Sequence, residues 1–162
     1  QQQIYPPLFA ERAANAGSEG VMALWQELPR ALRQDATTQA AAASALIGLD
    51  AEPQAQEILL DGLRRQLAAP LLTVVPQLQR PAPKLLAQLR KAEQTGTPSA
   101  ELLQAIGILL LRQREMEQAQ AYLERAVALQ PQATAYRALA ELMEQQRLFE
   151  KANNYYRQIS TI

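Results

Sequence analysis

Histidine and cysteine are both absent from the chain, so its only side chains with chemistry to offer are carboxylates, amines, guanidiniums, phenols and thioethers. That absence removes disulfides, thiolate and imidazole metal ligands, Ser/His and Cys/His nucleophile pairs, and the two commonest axial ligands of haem iron. A carboxylate pair or a lysine could still move protons, but no Asp or Glu stands in a motif with catalytic spacing. The sequence therefore predicts no catalytic residue, no metal site and no cofactor of its own. One charged stretch stands out. From Gly62 to Lys91 the charges are Arg64, Arg65, Arg80, Lys84, Arg90 and Lys91, with no acidic residue among them. A positive patch of this kind suits an anionic lipid surface, an acidic protein or the carboxylates of a tetrapyrrole. The plainer expectation is that these residues are spread around several helices and keep them soluble.

Composition says what must position these groups. The chain is 48% hydrophobic but only 5% aromatic, and its apolar surface is built from Ala and Leu, which favour helices over sheets. Its 16 basic and 16 acidic residues cancel, which removes the long-range positive field that nucleic-acid binding needs. DNA and RNA are not expected partners. No apolar run reaches the roughly 18 to 20 residues that span a bilayer, and no signal peptide opens the chain. It begins Gln1-Gln2-Gln3 without methionine, as expected of a fragment whose anchor or address lies upstream.

Glycine and proline divide the sequence into about ten helices, arranged in pairs at approximately 5–34, 36–69, 70–96, 98–131 and 133–162 of a single helical-repeat domain. Gly17 ends a first helix, and Ser18 is placed to cap the next, which runs to Leu28-Pro29. Asp35 can cap a third, and Pro53, Pro70 and Pro83 fit the first turns of later ones. Thr97-Pro98 reads as the opening of another. Leu71 to Leu78 is ambiguous, because Thr73, Val74 and Val75 favour a strand while Pro76 interrupts it. With no second strand to pair with, a short or kinked helix is expected. The clearest helix runs from Met116 to Leu129, with Ala119, Tyr122, Leu123, Ala126 and Val127 on one stripe.

Internal repetition points to an all-α, tetratricopeptide-type solenoid of antiparallel helices. Gly107, Ala119, Leu123, Ala126 and Pro131 follow the repeat's order of small, Ala, large apolar, Ala and closing Pro. Ala140, Ala152, Tyr156 and Ile159 repeat the pattern 33 residues later. A weaker copy uses Ala43, Leu46, Ala55, Leu59 and Gly62. Small residues let paired helices approach, and Leu123 or Tyr156 would plug the space between one pair and the next. In this architecture the first helix of each pair lines a concave, partner-binding face. Glu101, Gln104, Ile108, Leu111 and Arg112, then Thr134, Arg137, Glu141 and Glu144, are expected there. Gln104 and Ile108 stand where a carboxylate clamp would place Lys and Asn, which disfavours chaperone-tail recognition. At the C-terminal end no further polar helix covers Tyr155, Tyr156 and Ile159, so homodimerisation through that end is expected.

Several segments are more distinctive than the generic repeat. Ala16-Gly17-Ser18-Glu19-Gly20 with Leu24-Trp25, the run from Ile58 to Gln66, and Val75-Pro76-Gln77-Leu78 resemble the C-terminal region of the bacterial HemY proteins. Leu109 to Arg114, Ala119 to Leu129 and Ala135-Tyr136 fit the same family, so the resemblance covers about Phe9 to Ile159. It implies a parent protein held in the bacterial inner membrane by N-terminal helices, its tetratricopeptide region on the cytoplasmic side, with a role in haem synthesis. The same family name is used for an unrelated flavin-dependent oxidase, but no dinucleotide-binding glycine motif occurs here. The functional expectation is a non-enzymatic protein-binding scaffold with protein partners that include haem-pathway enzymes. The alternative is a tetrapyrrole carrier with an Arg-containing groove, in which Met22, Met116, Met143 or a tyrosine would have to ligate iron.

Overall fold

A computed structural model describes residues 5–162, apart from the side chain of Pro6; the opening glutamines lie outside it. Every regular element among the described residues is helical. In chain order they are α1 (Tyr5–Glu27), α2 (Arg30–Arg33), α3 (Ala36–Gly48), α4 (Glu52–Arg65), α5 (Ala69–Val74), a 3-10 turn (Val75–Gln77), α6 (Pro83–Gln94), α7 (Ala100–Arg112), α8 (Met116–Leu129), α9 (Ala133–Gln145) and α10 (Phe149–Ile159). They form two compact units, one ending at Leu85 and the other beginning at Leu86.

In the first unit, α1 breaks where the sequence places a stop. Gly17 has φ 65° and ψ −158°, a combination open essentially only to glycine. The break folds the helix back on itself. Phe9 and Trp25 would stand about 24 Å apart along a straight helix, yet their ring centroids are 6.3 Å apart. Asp35 caps α3 as expected, accepting from the Thr38 N–H at 2.9 Å and its hydroxyl at 2.8 Å. α3 then packs against α1, α4 and α5. Gly62 permits the α4 contact: a Cβ there would lie 2.5 Å from Gln39 Oε1 and 2.8 Å from Leu71 Cδ1. Pro53 and Pro70 fall in the first turns of α4 and α5. The ambiguous segment Leu71 to Leu78 is a short helix that tightens into the 3-10 turn at Pro76, as the missing strand partner required.

In the second unit, α7 pairs with α8 and α9 with α10. Ser99 caps α7 by accepting from the Leu102 N–H at 3.1 Å. Thr97-Pro98 therefore precedes the helix, because the serine two residues on offers the N-cap oxygen. At Gly107 a Cβ would sit 2.8 Å from Leu123 Cγ, so the small and large positions of the repeat meet as the sequence implied.

Three hairpins share one turn. Asp50, Arg114 and Arg147 have φ 59°, 63° and 61°, the left-handed region, each just beyond the first helix of its pair. The following amide closes each turn on a buried residue: Ala51 N to Leu46 O at 2.8 Å, Glu115 N to Leu110 O at 3.0 Å, and Leu148 N to Met143 O at 2.8 Å. The weak first copy in the sequence thus has the geometry of the two strong ones, with Ala43, Leu46, Ala55 and Leu59 fully buried.

Candidate protein-binding surface

Nine residues were expected to face a partner, and the structure separates them. On α9, Thr134, Arg137, Glu141 and Glu144 are all exposed. Their spacing places them along one side of the helix, because positions three, seven and ten residues on return close to the starting direction. Ala135, Ala138, Leu139, Ala140, Leu142 and Met143 fill the other side and are buried. The result is a polar stripe of mixed charge, one arginine followed by two glutamates, on an internally bonded helix.

α7 behaves differently. Gln104, Ile108 and Leu111 are buried, at 3%, 5% and 7% exposure, so these three stand in the core rather than on an open face. The physical reason is that α7, AELLQAIGILLLR, is apolar around nearly its whole circumference; such a helix is buried on all sides. Glu101 is half-buried and accepts from Gln132 Nε2 at 3.2 Å. Arg112 is exposed at the helix end. The amide oxygen of Gln104 has no hydrogen-bond partner among the described residues.

Tyr156 joins the α9 stripe, although its place in the repeat suggested a plug between hairpins. It is half-buried where Leu123 is fully enclosed. Its hydroxyl donates to Glu144, which with burial and the charges of Glu144 and Glu141 raises its pKa above 10.0, against the opposing effect of Arg137. The neighbouring Tyr155 lies 6.2 Å from the ring of Tyr136. At the end expected to self-associate, Asn153, Asn154, Arg157 and Gln158 are exposed on α10, along with Phe149 at 60%.

The six members of the basic stretch are also distributed. Arg64 and Arg65 end α4, and Arg65 lies 3.6 Å from Asp61. Arg80 sits at the opposite end of α4: its N–H donates to Glu52 Oε1 at 2.9 Å and its carbonyl accepts from Gln56 Nε2 at 3.0 Å. The eight helical steps from Gln56 to Arg64 span about 12 Å, so Arg80 does not join the pair at the other end. Lys84 is exposed in the first turn of α6. In the second unit, Arg90 donates to Gln118 at 2.7 Å and Lys91 is exposed. Near Arg90, Glu93 accepts from the Tyr122 hydroxyl at 2.6 Å and from Arg125 at 3.0 Å, and the Arg125 guanidinium lies 5.3 Å from the Tyr122 ring centre. That network fastens α6 to α8.

Sequence reading missed a buried polar clasp. Glu52 and Gln56, one helical turn apart, are each 7% exposed. Glu52 accepts from the amides of Gln79 and Arg80 at 2.9 to 3.0 Å, and Gln56 Oε1 accepts from the Ala82 amide at 2.7 Å. Polar residues four apart on an amphipathic helix look like its wet face, and only the folded loop gives them donors.

A cleft of about 560 Å³ lies between the first arm of α1 and α3, lined by Ala10, Ala13, Ala14, Ala41, Ser44 and Ala45 among others. It contains no arginine and no methionine. Met143 is buried and Met22 and Met116 are half-buried, none of them in that lining. Among the described residues no three carboxylates are placed so that they could hold a metal ion, and no helix is long and apolar enough to cross a membrane.

No family model matches the chain. Among curated proteins it is 29% identical over 153 residues to Protein HemY of Escherichia coli strain K12, covering 94% of this chain, and it is equally similar to HemY of Shigella flexneri. The chain spans 38% of the length of these relatives. Among solved structures, a mutant form of MamA matches with a TM-score of 0.50 at 18% identity, over 99% of this chain and 96% of that one. MamA is a tetratricopeptide-type helical repeat protein, and the fold of this chain is of that type. The resemblance to HemY is shown over almost the whole chain.

Proposed function

We propose that this chain is a non-enzymatic, protein-binding tetratricopeptide module of a HemY-like protein that gathers haem-pathway enzymes at the bacterial inner membrane. The observation that carries it is the α9 stripe, where Thr134, Arg137, Glu141 and Glu144 are exposed on the first helix of a repeat hairpin. Helix faces of mixed charge on a rigid scaffold select partners by charge complementarity. The similarity to HemY supports the pathway and the membrane setting of the longer protein. Its location on the cytoplasmic side and its anchoring by an upstream segment belong to the same proposal. Protein partners follow from the repeat; homodimerisation through α10 would use the exposed Phe149.

The test is co-purification from a bacterial membrane extract with the unaltered chain and with a charge-reversed Arg137→Glu, Glu141→Arg variant. Recovery of tetrapyrrole enzymes by the first and not by the second is expected. Equal recovery by both, or none by a well-folded bait, contradicts it. The carrier alternative requires a porphyrin-induced absorbance change at micromolar ligand. The small-residue cleft, lacking arginine, gives it little support.

A further inference from the structure

The end of the first unit where α2 meets α4 gathers charges from two stretches that the sequence keeps apart. With the Gln34 amide oriented to satisfy both, its oxygen accepts from Arg65 Nη1 at 2.7 Å and from Arg30 Nε at 2.9 Å. Gln39 Nε2 donates to the Arg33 carbonyl at 2.8 Å, and its Oε1 would lie 2.5 Å from a Cβ on Gly62, so α2 is tied down over the last turn of α4. Arg30, Arg33, Arg64 and Arg65 are all exposed there. Glu27, three residues before Arg30 in the chain, is exposed. Asp35 is committed to the α3 cap, Asp61 lies 3.6 Å from Arg65, and Arg30 has no ion pair among the described residues.

Two guanidiniums meeting on one neutral oxygen repel each other, and a carboxylate is their ordinary bridge. Cations in the last turn of α4 also suit the negative end of that helix. That effect explains Arg64 or Arg65 but not the convergence of Arg30 on the same amide. A planar, forked donor set of this kind matches phosphate oxygens. Leu67, two residues beyond Arg65, is 39% exposed, so an exposed apolar side chain follows the arginines that end α4. Arginines flanked by an exposed leucine fit a bilayer surface, with phosphates above and acyl chains below. We infer that Arg30, Arg33, Arg64 and Arg65, with Leu67, form a docking face for the phosphate headgroups of an anionic lipid bilayer. This does not depend on which proteins the α9 stripe binds.

The experiment is co-sedimentation of the chain with vesicles of phosphatidylglycerol and phosphatidylcholine, and with phosphatidylcholine alone, at low and high salt. Binding to the anionic vesicles only, weakened by salt, is expected. Each arginine replaced by glutamine should reduce binding about five-fold, while Arg80→Gln with Lys84→Gln, at the other end of α4, should leave it within two-fold. Circular dichroism checks that each variant is folded, and Leu67→Ser, which leaves the charge intact, should also weaken binding. Free glycerol phosphate at millimolar concentration should not compete; full competition would reassign the site to a soluble anion and overturn the inference. So would equal binding to both vesicle types, no binding to either, equal losses in the two sets of charge variants, or tighter binding to polyglutamate than to vesicles.

Discussion

Single residues set the hairpin turns, and three of them do so at a cost. Asp50, Arg114 and Arg147 occupy left-handed backbone with an ordinary Cβ, a conformation disfavoured by roughly 1 kcal/mol or more for residues other than glycine. Arg114→Gly and Arg147→Gly should each raise stability by about 0.5 kcal/mol, after allowing for the greater freedom of glycine in the unfolded chain. Urea titration checks this; Arg114→Ala, which keeps the Cβ, should give no gain. The reverse holds at Gly107, where an added methyl meets Leu123 at 2.8 Å. Gly107→Ala should cost about 1 to 3 kcal/mol, because α7 and α8 must part to accept it. The small positions were legible in the sequence because a repeated offset exposes them. The burial of Gln104, Ile108 and Leu111 was not, since a repeat template assigns a face by position while this α7 has almost no polar side to give it.

At the scale of elements, stability at the 79–82 loop comes from side chains on a neighbouring helix. Glu52→Ala would leave the Gln79 and Arg80 amides without their acceptor, a loss of about 1 to 3 kcal/mol. Hydrogen exchange should show both amides exchanging faster while the α9 amides keep their protection. The phenols fastening the second unit predict a dependence on alkaline pH. Tyr122 and Tyr155 have pKa values raised above 10.0 first by burial, then by Glu93 and Glu124 respectively, and Tyr156 first by its bond to Glu144. A raised folded-state value means the protonated phenol is favoured by folding. This contribution is complete below pH 10 and is lost as the pH rises through the folded values. Thermal denaturation should therefore show stability falling above pH 10, and Tyr122→Phe should flatten that fall. Helix limits were read well where a local residue fixes them, as at Asp35, Pro53 and Pro70. The clasp from Glu52 to residues 79–82 and the bridge from Gln34 to Arg65 were not, because each joins positions far apart in sequence whose types alone signal only solvation.

For the molecule, helix class and repeat could be read from one sequence because the hairpins depend on local contacts and recurrent small side chains. The nine residues expected to face a partner divide: the four on α9 form a solvent stripe, while Gln104, Ile108 and Leu111 on α7 are core. Photocrosslinking in bacterial cells tests the remaining face most directly. A photoreactive residue is placed at Arg137 or Glu141, with Glu117, exposed on α8, as the off-face position. Adducts with haem-pathway enzymes at 137 and 141 and not at 117 are predicted. No adduct at any position, or the same adducts at all three, would contradict a protein-binding surface on α9.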